Sequence, residues 1–103
     1  MSKNSFGFTT KLVHAGEPNP RIEGAVSMPI FQSSTYEYSG EEQYDDIRYI
    51  RLNNTPNHKA IQKKLAAIEC AESALVTSSG MSAITATLLT FLKQGDHLLS
   101  HKS

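Results

Sequence analysis

The chain changes character near residue 55, and that break limits its folding more than any other feature. Residues 1–55 hold seven of the eight aromatic residues, four of the six glycines and three of the four prolines. Gly16, Pro18, Pro20, Gly24, Pro29 and Gly40 interrupt helical runs there. Phe31 to Tyr38, rich in Ser, Thr and aromatics, reads as extended backbone. A structureless stretch of this length does not belong inside a compact domain of 103 residues. The first half therefore reads as an arm, residues 1–55, that docks on a larger body or on a second subunit.

Residues 56–103 carry regular patterns. Thr55-Pro56 suits an N-cap followed by proline at the first helical position. Ile61, Leu65 and Ile68 follow at the spacing of an amphipathic helix, with Lys59, Lys63 and Lys64 mainly on its wet side. Ser73 to Ser78 has strand length, Ser79-Gly80 breaks it, and Ile84, Leu88 and Phe91 mark a second helix from Met81, stopped by Gly95. His97 to Ser100 reads as another strand. Strand, helix, strand predicts a right-handed βαβ unit, and hence an α/β fold with a parallel sheet. Such a sheet is covered on both faces, which two strands cannot achieve.

Charge and cysteine count exclude several functions. Ten Lys+Arg balance ten Asp+Glu, which argues against a polybasic nucleic-acid binder. Cys70 is the only cysteine, so there is no intrachain disulfide framework and no multi-cysteine zinc site. The longest apolar-leaning run is Ile84 to Leu92, against about 20 residues for a membrane span. The opening residues lack the apolar stretch of a secretory signal, so the cytoplasm is the expected compartment.

Two places carry phosphate chemistry. At Ser79-Gly80-Met81 a glycine turn opens a helix whose first N–H groups are unpaired, a setting that accepts phosphate, with hydroxyls at 78, 79 and 82 nearby. The same residues also make an ordinary tight turn with a Ser N-cap. At Tyr49-Ile50-Arg51 a guanidinium lies beside a phenol, suited to bidentate phosphate binding or equally to a surface arginine on a packed tyrosine. Arg48 is the competing choice for the solvated charge. The sequence has neither a Gly-x-Gly-x-x-Gly nor a Walker A pattern.

Other groups are weaker. His97 and His101 on a strand would lie about 13 Å apart on one face, which does not suit a metal pair. His14 and His58 lack matching partners. Glu41, Glu42, Asp45 and Asp46 read as a solvated acidic loop. Cys70 reads as a small packed residue, with His58 only a distant candidate base.

Seven ordered matches point to a family. They are Val13-His14-Ala15-Gly16; Gly24-Ala25-Val26; Pro29-Ile30 with Ser33-Ser34-Thr35-Tyr36; Tyr49-x-Arg51 with Asn54; Leu65-Ala66-Ala67-Ile68-Glu69 with Ala71-Glu72; Ser79-Gly80-Met81-Ser82-Ala83-Ile84; and Gly95-Asp96-His97. In this order and spacing the chain resembles the N-terminal part of the Cys/Met-metabolism, or trans-sulfuration, enzymes that use pyridoxal 5′-phosphate, such as cystathionine γ-synthases and lyases. The resemblance implies an aspartate-aminotransferase-like, fold type I, three-layer sandwich. Of this the chain would supply the arm, residues 1–55, and the start of the large cofactor-binding domain, residues 56–103. It implies a lyase or transferase acting by elimination or replacement at Cβ or Cγ of an amino-acid substrate such as cystathionine, methionine or an O-acylhomoserine. It also implies that Gly80 and Met81 offer N–H groups to the cofactor phosphate. Tyr49 and Arg51 would reach the phosphate of the neighbouring subunit in a homodimer or homotetramer.

Two departures stand out. The family's Asn-Pro-Thr becomes Asn54-Thr55-Pro56, and Cys70 replaces a glycine that favours a left-handed helix C-cap. The resemblance places the Schiff-base lysine, the Asp facing the pyridinium nitrogen and the substrate-binding Arg downstream of Ser103. Lys93 and Lys102 do not match the lysine's motif, so no catalytic residue is assigned and the isolated chain is expected to be inactive. Two other roles are open to it: a non-catalytic assembly module docking on a full-length paralogue, or a small phosphate-binding protein.

Overall fold

Among the described residues three α-helices order the chain, and the first two pack against each other. In the computed structural model, which describes residues 6–102, α1 spans Phe8–His14, α2 spans Pro56–Ile68 and α3 spans Gly80–Phe91. Short 3₁₀ turns lie at Ile22–Gly24, Tyr44–Asp46 and Ile50–Leu52. The arm's first five residues and Ser103 lie outside the described residues.

The expected start of α2 is present. Thr55 is its N-cap and Pro56 its first residue, with the Lys59 N–H bonded to the Thr55 carbonyl at 3.0 Å. The Thr55 hydroxyl does not cap a backbone N–H; it bonds His58 Nδ1 at 2.7 Å. The far end closes on Cys70 in the left-handed region, φ 54°, while the Ala71 N–H reaches the Ala66 carbonyl at 2.9 Å. That is the glycine-type helix stop, made here by a residue that fits it less well.

α1 was not visible in the sequence pattern. It is seven residues long, has no side-chain cap and offers a single i, i+4 pair, Phe8 and Leu12. Tertiary contacts hold it. Lys64 of α2 reaches the end of α1, donating to the carbonyls of Val13 at 3.2 Å and Leu12 at 3.5 Å, where a cation is favoured. Lys64 also pairs with Glu17 at 2.7 Å, and Glu17 pairs with Arg21 at 2.9 Å. Gly16, at φ 72°, lets the backbones of α1 and α2 approach so closely that a Cβ there would collide with the main chain of Lys64.

The strand–helix–strand unit is corrected. Its helix forms, but the runs on either side, expected as strands at 73–78 and 97–100, are neither strands nor partners in a ladder. A strand is completed by a neighbour's N–H and C=O groups, and these two runs are not bonded to each other. Among the described residues, the β pairing is one antiparallel bridge, Thr35 to Tyr49. α3 also ends at Phe91, four residues before Gly95.

The segment around Pro29 and Phe31 runs against α2. Asn57 of α2 accepts from the Phe31 N–H and donates to the Pro29 carbonyl, both at 2.7 Å. Little is buried by these contacts. Among the described residues, Ala66 is the buried apolar side chain and Thr55 the buried polar one. Val26, Ile30, Leu89, Phe91 and Leu99 are each more than three-quarters exposed. The radius of gyration is 17.4 Å, against about 13 Å for a compact chain of this length.

Candidate functional site

The Tyr49-x-Arg51 turn is built by backbone bonds to its flanks. Tyr49 is extended, φ −152° and ψ 143°, and is the N-cap of the 3₁₀ turn Ile50–Leu52. The Ile50 N–H bonds the Ser34 carbonyl at 3.0 Å, beside the Thr35–Tyr49 bridge. Asn54 then closes the loop from the other side. Its Oδ1 accepts from the Tyr49 N–H at 2.9 Å, and its Nδ2 donates to the Ile47 carbonyl at 2.7 Å. Asn53 takes the left-handed conformation that ends the turn, φ 55°.

The tight turn brings Tyr49 and Arg51 together. The Arg51 guanidinium carbon lies 4.8 Å from the Tyr49 ring centroid, a cation–π stack. Among the described residues Arg51 is exposed, and no protein acceptor receives a hydrogen bond from it. Arg48 is used differently. It lies 5.5 Å from the Tyr36 ring, and its charge acts on Glu41. The Glu41 carboxyl is held below its ordinary range first by its own backbone N–H and by that of Ser39, which donates at 2.9 Å, with Arg48 adding to this. Arg48 thus lies with Tyr36 and Glu41, and Arg51, the arginine the resemblance singled out, with Tyr49.

The second pair sits at the start of α3. Ser79 is the N-cap, and its hydroxyl oxygen accepts from the Ser82 N–H at 3.1 Å. The Ser79 hydroxyl proton goes to Ser82 Oγ at 2.9 Å, so Ser79 is spent on the cap and the Ser82 hydroxyl keeps its own proton to donate. Thr77 donates to the Ser79 carbonyl at 2.8 Å. Gly80 and Met81 are the first two helical residues, whose N–H groups have no carbonyl one turn earlier to bond. Both are exposed. A Cβ built on Gly80 would meet nothing within 4 Å, so the chain's own packing does not explain the glycine. The space above it is open to an incoming group. The donor set fits a phosphate: two helix-start N–H groups and one free hydroxyl, with Arg51 elsewhere in the chain making no side-chain hydrogen bond among the described residues.

No hydrogen bond joins the Tyr49–Arg51 pair to the Gly80–Met81 pair among the described residues. One link is indirect. Asn53 Nδ2 donates at 2.7 Å to the carbonyl of Val76, in the extended run that leads to Ser79. Asn53 and Asn54 are thus structural parts of the site that sequence reasoning passed over, apart from noting Asn54 in a motif. Two adjacent asparagines one residue beyond the Tyr-x-Arg segment were the available signal.

The remaining candidates stay apart. His58 is bonded to Thr55, and Cys70 accepts from the Lys11 ammonium at 3.6 Å, so the two do not form a thiol–imidazole pair. His97 and His101 are exposed, and among the described residues no three His, Cys, Asp or Glu side chains gather as a metal set. Glu42, Asp45 and Asp46 are exposed. Among the described residues no helix is long and apolar enough to cross a membrane.

Comparison with known proteins addresses the whole segment. A family model described as Cys/Met metabolism PLP-dependent enzyme matches residues 9–103. The chain is 44% identical over 94 residues to a probable cystathionine gamma-synthase of Herpetosiphon aurantiacus, covering 91% of this chain and 29% of that protein. It is 39% identical over 111 residues to an L-methionine gamma-lyase of Fusobacterium nucleatum subsp. polymorphum, covering 100% and 28%. It is 38% identical over 99 residues to a cystathionine beta-lyase of Bacillus subtilis (strain 168), covering 96% and 25%. The chain spans less than a third of the length of these curated relatives.

Proposed function

The chain belongs to the Cys/Met metabolism PLP-dependent enzymes, and from that premise we propose that it supplies the phosphate-holding elements of an enzyme of sulfur amino-acid metabolism. The reaction would be elimination or replacement at Cβ or Cγ of an amino acid. The relatives are named for three different reactions, a synthase, a γ-lyase and a β-lyase. The elements they share with this chain serve what those reactions have in common, which is holding the cofactor. The expected compartment is the cytoplasm. The expected fold is the type I sandwich, in which residues 1–55 form the arm and residues 56–103 begin the large domain.

The opening of α3 carries this reading. Gly80 and Met81 point two unpaired N–H groups toward open space at the positive end of a twelve-residue helix. Gly80 keeps that approach clear of side-chain atoms. The Ser79–Ser82 hydroxyl pair orders the first turn and leaves the Ser82 proton free. Arg51, 4.8 Å from the Tyr49 ring centroid, offers a fork of N–H donors to a dianion. Bound there, pyridoxal 5′-phosphate supplies an electron sink for a carbanion, and the protein supplies position and electrostatics.

The two pairs act on different cofactors in this reading. Tyr49 and Arg51 of one subunit serve the phosphate held by Gly80 and Met81 of its neighbour, which makes a homodimer or a larger homo-oligomer a condition of binding. Two observations support this. The chain leaves most of its large apolar side chains exposed, and its Arg51 donors lack acceptors among its own described residues. The scarcity of buried side chains among the described residues also disfavours a free-standing small phosphate binder. The experiment is titration of the intact gene product with pyridoxal 5′-phosphate. Arg51→Ala is expected to weaken binding at least about tenfold, since bonds to a charged group contribute roughly 1.5–3 kcal/mol. Unchanged affinity contradicts the assignment.

A further inference from the structure

Arg51 and Tyr49 work as a phosphate clamp only if the turn between them keeps its shape, and one side chain sets that shape. Asn54 uses both ends of its amide on the same short segment. Its Oδ1 accepts from the Tyr49 N–H at 2.9 Å and its Nδ2 donates to the Ile47 carbonyl at 2.7 Å. Both bonds are partly buried, where water competes poorly for them. The next residue, Thr55, is buried and caps α2, so the clamp is fastened to the start of the longest helix.

We propose that Asn54 is a positioning residue for phosphate binding: it holds the Tyr49 backbone so that the ring supports the Arg51 guanidinium. This rests on the reading of Arg51 given above. Asn54 spends its Oδ1 and one of its two Nδ2 protons on backbone, at Tyr49 and Ile47. In this reading its effect on a ligand passes through Tyr49 and Arg51. Gln62 supports the same corner, donating to the Asn53 carbonyl at 3.3 Å.

The test reads binding rather than turnover in the intact gene product. Pyridoxal 5′-phosphate and pyridoxal, which lacks the phosphate, are titrated against wild type, Asn54→Ala, Arg51→Ala and the double variant. Asn54→Ala is expected to weaken the phosphate form about tenfold and to leave pyridoxal within about twofold. The double variant is expected to bind no more weakly than Arg51→Ala alone. Equal losses for both ligands, or losses that multiply in the double variant, overturn the proposal. Loss in Arg51→Ala with a silent Asn54→Ala sinks the role of Asn54 alone. A silent Arg51→Ala sinks the underlying reading as well. Should Asn54→Ala fail to fold, Asn54→Ser goes through the same titrations. A wild-type measurement stands beside them: hydrogen exchange at the Tyr49 amide should slow with pyridoxal 5′-phosphate but not with pyridoxal, and no difference contradicts the proposal.

Discussion

The side-chain amide of Asn53 donates to the carbonyl of Val76 at 2.7 Å, tying the Tyr49–Arg51 turn to the run that leads into Gly80. Asn53 does this from a left-handed conformation, φ 55°. Its two roles separate by substitution. Asn53→Gly keeps the backbone and loses the hydrogen bond, at a cost of about 1 kcal/mol. Asn53→Ala loses the bond and also strains the backbone, adding about 1 kcal/mol. Denaturant titration of the intact gene product checks the order; equal costs would show that the left-handed backbone is not retained.

Gly16→Ala is the severe substitution. The new Cβ meets the main chain of Lys64, and φ at Gly16 is positive. Backbone cannot yield as a flexible side chain does. Loss of at least about 2 kcal/mol is expected, from overpacking and left-handed strain together. The readout is faster hydrogen exchange across Phe8–His14. Unchanged protection there would mean that α1 does not depend on its approach to α2.

Cys70→Gly should stabilise. Cys70 stops α2 at φ 54°, where glycine carries no Cβ penalty. Relief of roughly 1–2 kcal/mol is partly offset by the freedom glycine adds to the unfolded chain, leaving about 0.5–1 kcal/mol. The Lys11 contact to the sulfur at 3.6 Å is exposed and adds little. Thermal denaturation checks the sign, and a lower midpoint would count against it.

Acid should release α1. The hydrogen bond from Lys64 is the main cause holding the Glu17 carboxyl below its ordinary range, with the charges of Lys64 and Arg21 adding to it. A lowered native pKa gives stability that is present above the unfolded carboxylate pKa and lost as pH falls through the native one. Exchange protection of Phe8–His14 should therefore fall in that acid window, and Glu17→Gln should flatten the dependence. A dependence that survives Glu17→Gln would assign it to another group.

Local signals were legible where one residue fixes one bond. Thr55-Pro56 marked the start of α2, Ser79-Gly80 marked that of α3, and Cys70 stood out as a misfit at a C-cap. Signals that depend on a partner were not. α1 exists because Lys64, 51 residues from Val13, reaches its last carbonyls. The runs at 73–78 and 97–100 have strand composition, but composition supplies no neighbour to pair with. The sequence brought out Tyr49, Arg51, Gly80 and Met81 as a set. The local residues alone left Arg48 as a competitor and only the resemblance singled out Arg51; the structure adds that Arg48 lies beside Tyr36 and Glu41.

The central claim is that one subunit's Tyr49 and Arg51 complete the phosphate site opened by its neighbour's Gly80. Complementation tests it most directly, using intact gene products of Arg51→Ala and of Gly80→Val. A side chain at residue 80 fits the fold, since open space surrounds it, but fills the approach to the α3 N–H groups. Each variant alone should bind pyridoxal 5′-phosphate weakly. Unfolded and refolded together, random dimers should regain wild-type affinity at about a quarter of the sites, because half the dimers are hybrids and each hybrid holds one unaltered site. No recovery on mixing would place both elements in one subunit's own site and contradict the account.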